Sequence, residues 1–200
     1  MSPTPPFDPE QFKALQRQMW DNVAKGWYAW WETFEHGAQK VNDRLVELAE
    51  LKPGDRVLDI ATGIGEPAVT AAKRVKPNGK VVATDIAPQM IALAETRARS
   101  LGLDGVMEFR VGDAEKLDFP KSSFNAVLSR WGLMFLPNLY ATLGSIRQLL
   151  VPGGILAAAV WSIPAKVPLL DLVFSTVSRS THLHHRLVHP DHLPLLMQRP

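Results

Sequence analysis

Four carboxylates fall where the strands of an α/β sheet would end. Asp59 and Glu66 bracket the turn Ala61-Thr62-Gly63-Ile64-Gly65, Asp85 lies twenty residues past Gly65, and Asp113 follows a third apolar run. Gly63-Ile64-Gly65-Glu66-Pro67-Ala68 matches the pattern G-x-G-x-x-G/A, in which glycines let a backbone approach a nucleotide-like ligand. A carboxylate placed like Asp85 can accept from both hydroxyls of a ribose. This much admits any cofactor that contains adenosine.

Charge separates the candidates. A dinucleotide brings a pyrophosphate to the helix N-terminus after the first strand, where Glu66 would repel it. S-adenosylmethionine sets a sulfonium and an ammonium against one carboxylate, so it is net cationic. Acidic strand ends in a partly dry cleft favour it. Glu66 also reads as a helix N-terminal acid that complements the macrodipole.

The elements that must position these groups follow from the pattern around them. Val57, Leu58 and Ile60 form a short apolar run, Gly63 and Gly65 break it, and Pro67 suits a first helical turn. Strands are expected at Arg56–Ile60, Lys80–Thr84, Val106–Val111, Ala126–Ser129 and Ile155–Trp161. Helices are expected near Pro67–Val75, Pro88–Leu101 and Leu139–Leu150, with Pro152-Gly153-Gly154 as a turn. Such alternation means βαβ units and a parallel sheet. Upstream, Asp8-Pro9 starts a helix whose Phe12, Leu15, Met19 and Val23 fall on one apolar, inward face. Gly26 should bend or break it. Trp20, Trp27, Tyr28, Trp30, Trp31 and Phe34 either cover the core or roof a ligand pocket. A further helix near Ala38–Leu51 should turn Val41, Leu45, Leu48 and Leu51 inward. Three regions result: a helical cap at 1–51, a cofactor-binding domain at 52–178, and an irregular tail rich in histidine and proline at 179–200.

Composition excludes several classes. There is no cysteine, hence no disulfide and no thiolate chemistry. A formal charge of +2 makes no strong appeal to nucleic acid. No apolar run approaches the ~20 residues of a membrane span. The start, MSPTPPFDPE, does not read as a signal peptide, so a cytoplasmic location is expected. Five of the six histidines crowd the tail, at 182, 184, 185, 189 and 192. Prolines interrupt their spacing and no acids are organised around them, so no metal site is expected.

Five motifs in order complete the reading. DIATGIG, ATDIAPQMI, FRVGDAEKLDFP, FNAVLSRWGLMFLPN and LVPGGIL resemble those of class I S-adenosylmethionine-dependent methyltransferases over about Leu51–Trp161. Spacing and wording are most similar to the branch of ubiquinone/menaquinone-biosynthesis C-methyltransferases. The resemblance implies a Rossmann-like α/β fold, with a mostly parallel sheet flanked by helices, and S-adenosyl-L-methionine as cofactor. It implies that Asp59, Ala61, Thr62, Gly63 and Gly65 lie under the methionine part, with Asp59 near its ammonium. Asp85 would take the ribose, with Ile86 and Met90 beside the adenine. Asp113 and Ala114 would meet the adenine itself. Ser129, Arg130 and Trp131 would line the cleft near the transferable methyl. Ala61 stands where many members have glycine. The family's last two strands have no counterpart after Trp161. The fifth strand is therefore expected to be an open edge, which a partner chain, a second copy among them, or a swapped segment would cover.

The implied reaction is in-line displacement on a small, aromatic or lipophilic acceptor, with C- or O-methylation. No general base is evident. Arg130 is a candidate to steady an acceptor oxyanion, and Trp31 a candidate acceptor wall. The rival readings are a non-catalytic relative that acts as a binding module, and a dinucleotide-dependent oxidoreductase. No nucleic-acid partner and no stable membrane insertion are expected.

Overall fold

The computed structural model describes residues 6–163, 166–168, 171–173 and 175–176. The chain divides into two compact units, Met1–Ala159 and Val160–Pro200. In the first, helices α1 (Pro9–Ala29) and α2 (Trp31–Leu48) precede β1 (Arg56–Ile60), α3 (Ala68–Val75), β2 (Lys80–Asp85) and α4 (Pro88–Ser100). Then come β3 (Met107–Val111), β4 (Phe124–Arg130), α5 (Leu139–Leu149) and β5 (Leu150–Ala159). Short 3-10 turns lie at Ala114–Lys116 and Leu133–Phe135. In the second unit, residues 171–173 and 175–176 are helical. No helix among the described residues is long and apolar enough to cross a membrane.

The sheet is wholly parallel, in the order β3-β2-β1-β4-β5. β1 is central: Leu58 faces Val82 on one side and Val127 on the other. Because side chains alternate across a strand, β1 serves two cores. Val57 packs with Val81, Ala126 and the small residues of α3 (Ala68, Val69, Ala71, Ala72). Leu58 and Ile60 pack with Phe124, Val127 and the Ile146–Leu149 face of α5. The strand ends Ile60, Asp85, Val111 and Arg130 thereby open on one edge of the sheet, which is where open α/β sheets bind ligands.

Five expectations need correction. Phe12, Leu15, Met19 and Val23 do not form the inward face of α1: Leu15 is 60 % exposed, Met19 43 % and Val23 40 %. Lys13, Trp20, Ala24 and Trp27, also at helical spacing, turn inward instead. The Lys13 ammonium holds its inward place through carboxylate partners, Glu10, Asp113 and Glu115. Gly26 breaks nothing. α1 runs through it and ends at Trp30, after which α2 starts at once and leaves Leu48 exposed. Pro152-Gly153-Gly154 is not a turn between elements but a bulge inside β5, where the partner of Phe124 is Leu150 and that of Ala126 is Ile155. β5 ends at Ala159 rather than Trp161. No strand follows β5 among the described residues. The tail histidines lie outside the described residues.

Ala61 adopts φ +58°, a left-handed conformation that costs an L-residue about 1–2 kcal/mol. Ala61→Gly should therefore raise the unfolding free energy. Set against the extra freedom glycine has in the unfolded chain, the net gain is about 0.5–1 kcal/mol. Urea denaturation checks it, and an unchanged or lower midpoint would contradict the argument.

Candidate functional site

The turn after β1 is built from backbone bonds and one long-range carboxylate. The Thr62 N–H donates to the Thr84 carbonyl across the strand ends (2.9 Å), and the Gly65 and Glu66 N–H groups return to the Thr62 carbonyl. Gly65 sits at φ +105°, which no L-residue adopts without strain. Asp85, at the end of β2, accepts from the Gly63 N–H (2.8 Å) and from the Ala87 N–H (2.9 Å). One backbone bond per oxygen leaves further lone pairs for a ligand. Burial pushes the Asp85 carboxyl above its ordinary range, and these N–H groups pull it partly back.

Asp59 is fully buried beneath the turn. One oxygen accepts from the Ala68 N–H at the start of α3 (3.1 Å). Its other oxygen and the Thr62 hydroxyl are buried without a hydrogen-bond partner of acceptable geometry. Burial pushes its pKa up to about 7, against the pull of the nearby Thr62 hydroxyl, the Arg130 charge and the Ala68 N–H. The sign of the consequence is fixed. In the unfolded chain the group loses its proton near 3.8, in the native state near 7. Between those values the unfolded state binds fewer protons, so stability falls as pH rises, and above about 7 the full loss is in place. Thermal unfolding from pH 5 to 7.5 should show this decline, and Asp59→Asn should flatten it. A slope of equal size in the variant would exclude Asp59 as its source.

A buried ion pair backs the turn. Glu66 accepts from Arg97 at 2.9 Å and from the Thr70 hydroxyl at 2.8 Å, while the Arg97 guanidinium lies 4.3 Å from the Trp31 ring. Glu66 is thus the helix N-terminal acid expected of it, but its charge is matched by Arg97. Repulsion of a pyrophosphate by Glu66 is correspondingly weaker than its sequence position suggests. Trp31 stacks on this pair and does not line the cavity.

The cavity lies over the turn. Its floor is Ala61, Thr62 and Gly63, its sides are Asp85, Ile86, Met90, Asp113 and Ala114, and its far wall is Arg130, Trp131, Gly132 and Phe135. Gly132 is required by close approach, since a Cβ there would run into the Ala61 methyl. α1 supplies the roof with Lys13, Gln16, Trp20 and Trp27. Trp20 packs edge-on against Phe135 at 6.0 Å and tilted against Trp27 at 6.2 Å.

Ten of the thirteen residues named from sequence therefore meet at one cavity. Asp59 and Gly65 lie behind its floor. Ser129 is fully buried and donates to the Ile60 carbonyl (2.9 Å), tying β4 to β1. Arg130 lines the cavity, but its guanidinium is committed. It pairs with both oxygens of Glu35 at 2.8 Å each and donates to the Asn42 Oδ1 at 2.9 Å. The Asn42 amide also donates to Glu35 (2.9 Å). Lys13, Gln16, Glu35 and Phe135 escape sequence reasoning, because nothing local marks a lysine as buried or a glutamate as paired across 95 residues.

The unsatisfied groups test what fits. The Thr62 hydroxyl and the Gln16 side-chain oxygen line the cavity, are buried without a partner of acceptable geometry, and can accept hydrogen bonds. With the open lone pairs of Asp85, they suit a ligand that brings N–H and O–H donors and positive charge, as S-adenosylmethionine does.

Comparisons with known proteins agree. A family model described as a methyltransferase domain matches residues 51–188. The ubiquinone/menaquinone biosynthesis C-methyltransferase UbiE of Ectopseudomonas mendocina is 38% identical over 135 residues, covering 68% of this chain and 52% of that protein. The demethylmenaquinone methyltransferase of Symbiobacterium thermophilum is 29% identical over 150 residues, covering 74% of this chain and 60% of that protein. The matched region thus spans between half and three fifths of these relatives. Among solved structures, a SAM-dependent methyltransferase from Aquifex aeolicus shares the fold, with a TM-score of 0.58 and 23% identity over 78% of this chain and 74% of that one.

Proposed function

Because the chain belongs to the methyltransferase domain family, we propose that it transfers a methyl group from S-adenosylmethionine to a small aromatic acceptor. The acceptor would be of the quinone kind named in its relatives. The observation that carries this reading is one cavity in which Asp85, the glycine turn, and Asp113 with Ala114 converge. Asp85 would hold the ribose diol, Asp113 and the Ala114 backbone the base, and Thr62 the ammonium end, with Asp59 behind the floor acting only through its charge. Bound there, the sulfonium supplies an already activated methyl.

The chain then has three tasks: to orient the acceptor, to exclude water and to leave the methyl accessible. Orientation of this sort contributes about 7–11 kcal/mol to barrier lowering in favourable cases. Trp20, Trp27 and Phe135 form an apolar slot suited to a flat ring. Arg130 cannot serve as a free cation for an oxyanion while Glu35 occupies its fork. Of the carboxylates on the cavity wall, Glu35 is engaged with Arg130, Glu66 with Arg97 and Asp113 with Lys13, while Asp85 is given to the ribose. This arrangement favours an acceptor that is ionised before it is methylated.

Calorimetric titration with S-adenosylhomocysteine, and separately with NAD, tests the reading. Saturable binding of the first and none of the second is expected. Preference for NAD, or no binding by a folded chain, would overturn it.

A further inference from the structure

The roof helix is fastened to the base-binding end of the cavity by buried Lys13, with an exposed pair between Glu10 and Lys116 beside it. The Lys13 ammonium donates to Asp113 at 2.8 Å and Glu115 at 3.2 Å and forms an ion pair with Glu10 at 2.7 Å. Its side chain is only 9% exposed. The other Asp113 oxygen accepts from the Glu115 N–H (2.9 Å). Both oxygens of Asp113 are therefore occupied, one of them by a cation from an element 100 residues away. Glu115 passes the connection on, since its second oxygen accepts from the Asn138 N–H at the start of α5 (2.5 Å).

We propose that Lys13 is a positioning residue that shuts α1 over the cavity by holding Asp113, and that the exocyclic amine of the cofactor's base shares or displaces it there. The inference rests on the proposed function, which gives Asp113 to that amine. α1 carries Gln16, Trp20 and Trp27, so its release opens the roof along most of the cavity. Elsewhere α1 is held along one edge, where Ala24, Trp20 and Trp27 pack with Ala87 and Met90 and the Gln89 N–H donates to Asp21 (2.8 Å). Leu15, Met19 and Val23 stand in solvent, and its burial falls on a single edge. Three carboxylates face two ammoniums in the cluster, with Lys116 3.3 Å from Glu10. Removing Lys13 leaves like charges together under α1. An amine that takes one Asp113 lone pair loosens the lysine without freeing it, since Glu10 and Glu115 keep their hold. The roof is then restrained while the site is loaded.

The test compares the wild-type chain with Lys13→Met and Lys13→Arg. Without ligand, amide hydrogen exchange over 9–29 should quicken by at least about tenfold in Lys13→Met, the effect of losing even one of its charge-assisted hydrogen bonds, while β1 and β4 keep their protection. In stopped-flow tryptophan fluorescence, S-adenosylhomocysteine should associate and dissociate about tenfold faster from the variant, with its Kd shifted by less than about threefold. Wild-type rates should rise with salt, Lys13→Met rates should not, and Lys13→Arg should stay near wild type. A merely structural lysine would lower stability and leave the salt dependence of these rates in place.

Unchanged α1 exchange in folded Lys13→Met, or ligand rates within twofold of wild type, would overturn the proposal. If Lys13→Met fails to fold, Glu115→Gln takes its place with the same readouts. If the wild-type chain does not bind S-adenosylhomocysteine, the proposed function falls, and hydrogen exchange alone decides on the latch.

Discussion

Arg130→Ala should lower the unfolding free energy by about 3–5 kcal/mol, the range seen when one partner of a buried ion pair is removed. The variant leaves the Glu35 carboxylate buried, with the Asn42 amide as its remaining partner. It also removes a positive charge that holds Asp59 down, which steepens the decline in stability with pH. The cost belongs to the stranded charge and not to the pair as such. Replacing both partners, with Glu35→Gln and Arg130→Met, should therefore recover most of the loss. Urea unfolding of the two single variants and the double variant separates these contributions. A double variant as unstable as Arg130→Ala would show that packing of the guanidinium over Trp131, 4.8 Å from its ring, matters more than charge.

Asp85→Asn should reduce affinity for S-adenosylhomocysteine by about 10²–10⁴-fold. Each ribose hydroxyl given to a carboxylate makes a charge-assisted bond of about 1.5–3 kcal/mol. An asparagine keeps one acceptor and presents a donor on the other side. That donor also faces the Gly63 N–H, which now donates to Asp85 at 2.8 Å, so the glycine turn loses its anchor. For the fold, relief of a carboxyl that burial penalises is offset by the lost Gly63 bond, so stability should change by less than about 2 kcal/mol. Calorimetry and thermal unfolding on one sample measure both effects. A folded variant that binds within tenfold of wild type would remove Asp85 from the site.

The sheet and its carboxyl-end acids were legible because local pattern controls them. β1 and β2 are apolar runs that lead into the glycine turn and into Asp85, β4 is an apolar run that leads into Arg130, and the alternation with helices makes the sheet parallel. The face of α1 was not legible. Phe12, Leu15, Met19 and Val23 satisfy helical spacing as well as Trp20, Ala24 and Trp27 do. The choice between two apolar faces is made by what they meet: α4, the cavity, and the acids around Lys13. Arg130 was legible as a cavity residue but not as a spent one, because its partners Glu35 and Asn42 lie on a helix whose docking no short window encodes. Trp31 likewise reads as a wall from its neighbours in sequence, and stands on Arg97 instead.

The placement of β1 between β2 and β4 has a consequence for synthesis. β2 follows β1 closely, but β4 begins at Phe124, 64 residues after Ile60. At ordinary translation rates of about 5–20 residues per second, the ribosome takes roughly 3–13 s to deliver it. During that interval the β4-facing edge of β1, Val57–Asp59, offers unpaired backbone to neighbouring nascent chains on the same message. Asp59 is the one charge between Val57 and Ile60. While the edge is wet it ionises as an ordinary carboxylate and discourages a second strand from docking, a gatekeeper in the sense known from aggregation-prone segments. Once β4 and the turn close over it, burial carries its pKa to about 7. The residue that weakens the finished fold at high pH is thus also the one that guards the unfinished one.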